Sequence, residues 1–520
     1  MSEILSDVPG SESVIWDSSV RIFGGRQKIL TSCLPKNMQP AGFEGTTLDE
    51  TTLPQEIRRA MLLHTQNRAD IRALRAIYKG GQSIYNREND GVDRFVNNVI
   101  CVNYANAFTR QIVGYTYPSG VHFVPMIEDI RADIEKLNRF LRAVDKNMLD
   151  KVMENEQSIW GTHYRAVLPN STDSGKCPFD ILPLPADNTF VAYSAYNPNL
   201  PVYGCTMYPV IPEPMGVEAT KYVYKIYTAN QCFTYVSYGN TGVLDSDLKS
   251  VDPHVLGSVP IIEYPNNEFR MGDWEMAIDL FDAINDMSSD CLNDVEQTVL
   301  SYLVLLGVET PTEPEMQLMR KYRLLALHAP QGTNPDAKFI TAQLDGQSAE
   351  LLRAYYQDAL RNVVGVPDRN GSGGGDTGEA INAKNGWREI DTVARNKSMF
   401  TEASERKLLR IILQILSPKY VSSDLSDLDI GISIPRNKND NIQSKTQAGA
   451  LMYEMHMDKH DVASVMDLNS DNEGMVKRWE ASEKSYLDSS AGGQGGSITI
   501  PRGSNTGGSI DDTNDSIEGG

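Results

Sequence analysis

Between Met271 and Met319 the chain carries neither Lys nor Arg, and within that span GDWEMAIDLFDAINDMSSDCLNDVEQTVLSYLVLLG keeps a helical period. The pattern lasts for roughly thirty residues, a rod of about 45 Å at 1.5 Å per residue. Six acids, Glu275, Asp279, Asp282, Asp286, Asp290 and Asp294, recur along it at steps of three and four. At about 100° per residue they fall in a sector of roughly 120°. Ala277, Leu280, Phe281, Ile284, Met287, Cys291, Val295 and Val299 take the opposite side. The plain reading is a solvated face of an amphipathic helix. Like charges at i,i+4 cost a few tenths of a kcal/mol each, however, and an ordinary surface helix would intersperse lysines. One use for a uniformly acidic face is a wall past which a polyanion slides without sticking, because repulsion removes the phosphate contacts that would make deep wells.

The rest of the composition narrows the class. With 520 residues, 40% hydrophobic and 22% charged, the chain has the makings of about three folded units. The balance of 48 Lys+Arg against 69 Asp+Glu, net −21, is the reverse of what a protein gripping phosphates needs. Six cysteines without a C-x-x-C pair write neither a zinc site nor a disulfide framework, which points to a reducing cytoplasm. MSEILSDVPGSESVIW has no basic and apolar leader pattern, and the longest apolar stretch, near Val299–Val308, is about half a membrane span. Neither export nor membrane insertion is expected.

Along the chain, the first 55 or so residues show no clear pattern. HTQNRADIRALRAIYKGG then places Ile71, Leu74 and Tyr78 on one helical face before Gly80–Gly81. A second helix is predicted from Asp93 to about Val113, and a third from Glu128 to about Trp160, with Ile130, Ile134, Leu137, Phe140, Leu141 and Val144 inward. From His163 to Glu263 the period becomes two, in YRAVLP, TFVAYS, YVYKIYT, CFTYVSY and PIIEY. After the acidic helix and a Pro-containing segment, SAELLRAYYQDALRNVVG predicts a helix closed by Gly365 and Pro367. NGSGGGDTGEA is a loop, with Asp376 and Glu379 placed like a capping box for a helix to about Leu416. DIGISIPRN predicts a strand, two helices follow between Ser444 and Tyr486, and the Gly/Ser/Asp-rich tail from Ser489 reads as disordered.

Candidate chemistry is sparse. The glycine loop lacks both the G-x-x-x-x-G-K-[ST] frame and a preceding strand, so it reads as a mobile connection, not a phosphate cradle. His456 and His460 stand four apart without the H-E-x-x-H pattern and read as surface helix residues. DLNSDNEGMVKR resembles a calcium loop but puts Asn472 where Gly is needed and Arg478 where Glu is needed. No nucleophile elbow occurs and no carboxylates are visibly paired. The basic island Arg320, Lys321, Arg323 is a surface turn or a contact for an acidic partner or a neighbouring subunit.

The order of these features resembles the portal proteins of tailed bacteriophages, in particular the type found in siphophages of Gram-positive hosts. The stretches that carry the likeness are RFVNNVICVNYANAFTRQIVGY at 94–115, HVLGSVPIIEYPNNEFRMGDWEMAIDLFDAINDMSSDCLNDVEQTVLSYLVLLG at 254–307, VVGVPDRNG at 363–371 and DIGISIPRNKNDN at 429–441, with the closing helices. The junction of VPIIEYPNNEF with an acidic long helix is the most specific. Together they span most of residues 60–485.

The resemblance implies an α+β portal fold with wing, two-helix stem, clip, tunnel loop and helical crown, assembled as a ring of twelve at one capsid vertex. It implies no catalytic activity, no cofactor and no metal. On that template 1–55 is a poorly defined N-terminal region, 56–268 the wing, 269–300 one stem helix, 301–344 the clip and 345–366 the second stem helix. The tunnel loop is 367–378, including Asn370, Gly371, Ser372, Gly373, Gly374, Gly375, Asp376 and Thr377. A wing helix and return strand span 379–438, the crown 439–488, and the tail 489–520. Glu275, Asp279, Asp282, Asp286, Asp290 and Asp294 would line the channel, and Arg320, Lys321 and Arg323 would meet a partner at the clip. The implied partners are further copies of the chain, double-stranded DNA, the terminase large subunit, a head-tail adaptor, and the major capsid and scaffolding proteins, with no membrane. The place is the virion, and the host cytoplasm during assembly. Two other readings stay open: a multidomain cell-envelope hydrolase with an unrecognised acid pair in the β-rich middle, and another ring-forming virion adaptor.

Overall fold

A computed structural model describes residues 24–40, 43–87, 97–170, 177–210, 221–238, 248–299, 302–306, 312–314, 317, 336–340, 346–367, 387–417, 419–422, 425–436, 442–466 and 472–491. The chain divides into two compact units, 1–439 and 440–520.

In the first unit a short strand β1 (Ile29–Thr31) precedes helix α1 (Leu53–Tyr78). Pro54 sits in the first turn of α1, where its missing N–H costs nothing. Lys79 closes the helix and Gly80 follows at φ +96°, a conformation that favours glycine. The sequence pattern showed only the second half of this helix. Helix α2 is Tyr104–Thr116 and begins eleven residues later than Asp93, because Asn103 caps it, its side chain accepting a hydrogen bond from the Asn106 amide at 3.0 Å. Residues 97–102 before the cap are not helical.

Strand β2 (His122–Pro125) leads into α3 (Arg131–Ala143) and α4 (Lys146–Trp160). The single helix expected here is therefore two. Asp145 between them adopts φ +51°, which breaks the periodic register and lets each helix bury its own stripe. Ile134, Leu137 and Leu141 of α3 and Met153 of α4 are buried in one core.

The β-rich segment contains more strands than the alternation showed. In chain order they are β3 (Thr162–Pro169), β4 (Phe179–Leu184), β5 (Thr189–Ser194), β6 (Pro201–Val210), β7 (Lys221–Tyr227), β8 (Gln231–Tyr238), β9 (Leu248–Pro253) and β10 (Ile261–Pro265). They form a six-stranded sheet, β1-β5-β6-β7-β8-β9, and a three-stranded sheet, β10-β3-β4. All pairs are antiparallel except β1 with β5. Both faces of β5 are buried, so TFVAYS shows no alternation in burial.

A short 3-10 turn, Glu275–Ala277, opens helix α5, Ile278–Val299. Its 22 residues make about 33 Å, shorter than the rod expected. Tyr302–Leu306 is strand β11, antiparallel to β12 (Asp336–Ile340). A run such as YLVLL cannot be assigned to helix or strand by period alone. Helix α6 (Gly346–Val364) ends at Gly365, φ +71°, and α7 is Trp387–Leu416. The final strand of the unit, β13 (Ile430–Ser433), pairs with β2.

The cores meet around α4 and β10. One cluster joins α1, α2, β3 and β5 to Trp274, Ala277, Phe281 and Ile284 and to Leu360 and Val364 of α6. Another joins α3, α4, β3 and β10 to Leu408, Leu409, Ile412 and Leu416 of α7.

In the second unit the region read as two helices holds three, α8 (Ile442–Glu454), α9 (Lys459–Met466) and α10 (Asn472–Ala491). Val462, Ala463 and Val476 are buried between them. Helix α10 runs three residues into the stretch expected to be disordered, and 492–520 lie outside the described residues. His456 has φ +60° beyond the end of α8 and His460 belongs to α9, so the two histidines do not share a helix.

Candidate functional site: an acidic helix and its strap

The six acids do not behave as one stripe. Glu275 is buried, 3% exposed, and ion-paired to the buried Arg26. Its two oxygens also accept from the amides of Gly25 (3.2 Å) and Gly272 (2.8 Å). It is a cap that ties the N-terminal segment to the start of the helix, and its assignment to the channel lining is corrected. Asp282 is half-buried; burial pushes its carboxyl up, and Asp286 and Asp279 add to that against a hydrogen bond from Ser83. Asp279, Asp286, Asp290 and Asp294 are exposed. Asp290 ion-pairs with Arg87, so a cation absent from the helix itself arrives from the connection after α1.

On the flank of the acids lies a feature the sequence reading missed. Asn285 and Ser289 are fully buried and Asn293 nearly so. The non-helical segment before α2 runs along them in the reverse direction. The amides of Val102, Ile100 and Asn98 donate to Asn285 Oδ1 (2.8 Å), Ser289 Oγ (3.0 Å) and Asn293 Oδ1 (2.7 Å). Four helical residues rise about 6.0 Å and two extended residues about 6.6 Å, so rungs at i,i+4 on the helix match alternate amides on the strap. The Asn285 side-chain amide in turn donates to Gln82 Oε1, and that of Asn98 to Glu296. Each side chain thereby satisfies a backbone amide that has no ladder partner. The signal in the sequence was Asn, Ser, Asn at steps of four beside the acids.

The apolar side is also divided. Phe281 and Ile284 are buried against α6, whereas Leu292 and Val295 are 41% and 54% exposed. Helix α6 leaves Leu351, Leu352 and Tyr355 exposed.

Carboxylates do come together elsewhere, but inside the protein. Asp150 and Glu405 share Lys146 and Arg165 at 2.8–3.3 Å, and all four are buried. Lys397 bridges Glu154 (2.7 Å) and Asp273 (3.1 Å). Neighbouring cations hold Asp150 below its ordinary range despite burial, and burial keeps Glu154 above its own. Such groups, sealed from substrate and neutralised by cations, pin α7 to α4 and β3 and offer no acid pair for hydrolysis. Among the described residues no cluster of His, Cys, Asp or Glu could hold a metal ion, and no helix is long and apolar enough to cross a membrane. The tunnel-loop residues Asn370, Gly371, Ser372, Gly373, Gly374, Gly375, Asp376 and Thr377 and the basic island Arg320, Lys321, Arg323 lie outside the described residues.

The described residues form a mixed helix-and-sheet body in which the acidic helix α5 packs on α6, with the antiparallel strands β11 and β12 lying between them in sequence. The model of one family, phage portal proteins of the SPP1 Gp6-like type, matches residues 63–485. The chain belongs to that family: it is a tailed-phage portal protein. The family is structural and serves DNA packaging. None of the curated proteins matches the chain.

Proposed function

We propose that the chain forms a twelve-membered ring at one capsid vertex and that double-stranded DNA enters and leaves through its centre, past α5. The observation that carries this reading is α5 itself, with Asp279, Asp286, Asp290 and Asp294 exposed along a helix that has no Lys or Arg of its own. A wall of carboxylates repels phosphates and leaves no position at which duplex binds tightly. Apolar surface supports the ring. Leu292 and Val295 on α5 and Leu351, Leu352 and Tyr355 on α6 are exposed in one copy, and a neighbouring copy would cover them.

Residues 301–344, with Arg320, Lys321 and Arg323, would meet the terminase large subunit during packaging and the head-tail adaptor afterwards, and 367–378 would reach toward DNA. The crown, 439–488, would face the capsid interior, where scaffolding and major capsid proteins assemble. Electron microscopy of the purified protein tests the reading. Rings of twelve or thirteen copies with a central hole are expected, and a population of lone compact particles would overturn it.

A further inference from the structure

Two lysines lie near one aromatic ring in the first unit. Lys28, just before β1, places its Nζ 4.3 Å from the centroid of the Tyr193 ring, and Lys407 of α7 places its Nζ at 5.9 Å. Both side chains are half-buried, and among the described residues neither ammonium has a carboxylate or carbonyl in contact. The carboxylate nearest in effect, Glu263, is already full. Its Oε1 accepts from Arg270 Nε (2.6 Å) and Tyr164 Oη (3.3 Å), and its Oε2 from Arg270 Nη2 (3.0 Å) and Tyr193 Oη (2.8 Å). A carboxylate offers about four lone-pair sites, and these four donors use them. Arg410, the next cation along α7, is paired with Asp427 at 2.8 Å. Lys28, Lys407 and Arg270 therefore share a single buried anion, whose lone pairs are taken by Arg270 and two tyrosines. Burial and the neighbouring cations hold both lysines below the ordinary range of an ammonium against the pull of Glu263, since three cations stand around one buried anion.

We propose that Lys28 and Lys407 form an oxyanion site filled by a carboxylate from a second copy of this chain. A chain of net −21 that assembles with itself must overcome like-charge repulsion, and it does so most economically by setting local cations against acids on the neighbour. With 69 acidic residues, carboxylate is the anion each neighbour has in greatest supply. The inference rests on the ring of the preceding reading.

The test is zero-length crosslinking of rings assembled from a mixture of isotopically labelled and unlabelled chains. A carbodiimide joins an ammonium to a touching carboxylate as an amide, with loss of water. Mass spectrometry is expected to find Lys28 or Lys407 joined to an Asp or Glu in peptides of mixed isotope content. The double variant Lys28→Gln/Lys407→Gln should lose those links and need about tenfold more protein to assemble at low salt, with assembly less weakened by added salt than the wild type. Rings that form without such links, or with links only within one chain, overturn this inference and leave the ring standing. Protection of the two lysines by inorganic phosphate or DNA alone also overturns it. Failure of the wild type to form rings overturns both.

Discussion

At the residue scale, the unit up to residue 439 is held by buried charges in matched sets. Lys397 is 3% exposed and faces two buried carboxylates, Glu154 and Asp273. Lys397→Met would strand them, and a loss of about 3–5 kcal/mol in denaturant unfolding is expected. Adding Glu154→Gln to that variant should recover part of it. His64 supplies a pH signature. It is buried on α1 with Nε2 3.2 Å from the Asp187 carbonyl oxygen, and burial pushes its pKa down from 6.5 to about 4. The unfolded chain then takes up a proton that the folded protein refuses. Stability contributed by neutral His64 is complete above pH 6.5 and falls away as pH drops toward 4, by about 3 kcal/mol. Unfolding measured across that window should show a shallower acid limb for His64→Gln, and an unchanged slope would remove His64 from the account.

At the element scale, the acidic helix is not the bare rod its periodicity described. Its first carboxylate is a cap, its flank is a polar ladder, and Arg87 reaches it from a connection far away in sequence. These contacts are long-range, so no local pattern contains them. What was legible was local: the helix faces carrying Ile71 and Leu74, the strands TFVAYS and CFTYVSY, and the stop at Gly365. What was not legible hinged on single residues. Asp145 in the left-handed region splits α3 from α4, and the Asn103 cap delays α2. The strap makes a sharp prediction for hydrogen exchange. The amides of Asn98, Ile100 and Val102 should be protected and those of Val99 and Cys101 less so. Ser289→Ala should speed exchange most at Ile100, and uniform exchange across residues 97–103 would refute the ladder.

At the scale of the whole molecule, one copy leaves business unfinished. Among the described residues the buried charges are paired, yet α6 and the end of α5 expose large apolar side chains, and α5 also exposes a row of carboxylates. Family membership over residues 63–485 explains why such a chain is made. The orientation of α5 in the assembled particle is the point on which the DNA-passage reading turns, since the same acids facing solvent would be only a charged rim. The direct measurement is a reconstruction of the assembled ring at side-chain resolution by electron cryomicroscopy. Asp279, Asp286, Asp290 and Asp294 should project into the central hole with Leu292 and Val295 buried against the next copy. Carboxylates turned to the outside of the ring, with the apolar residues bare, would contradict the account.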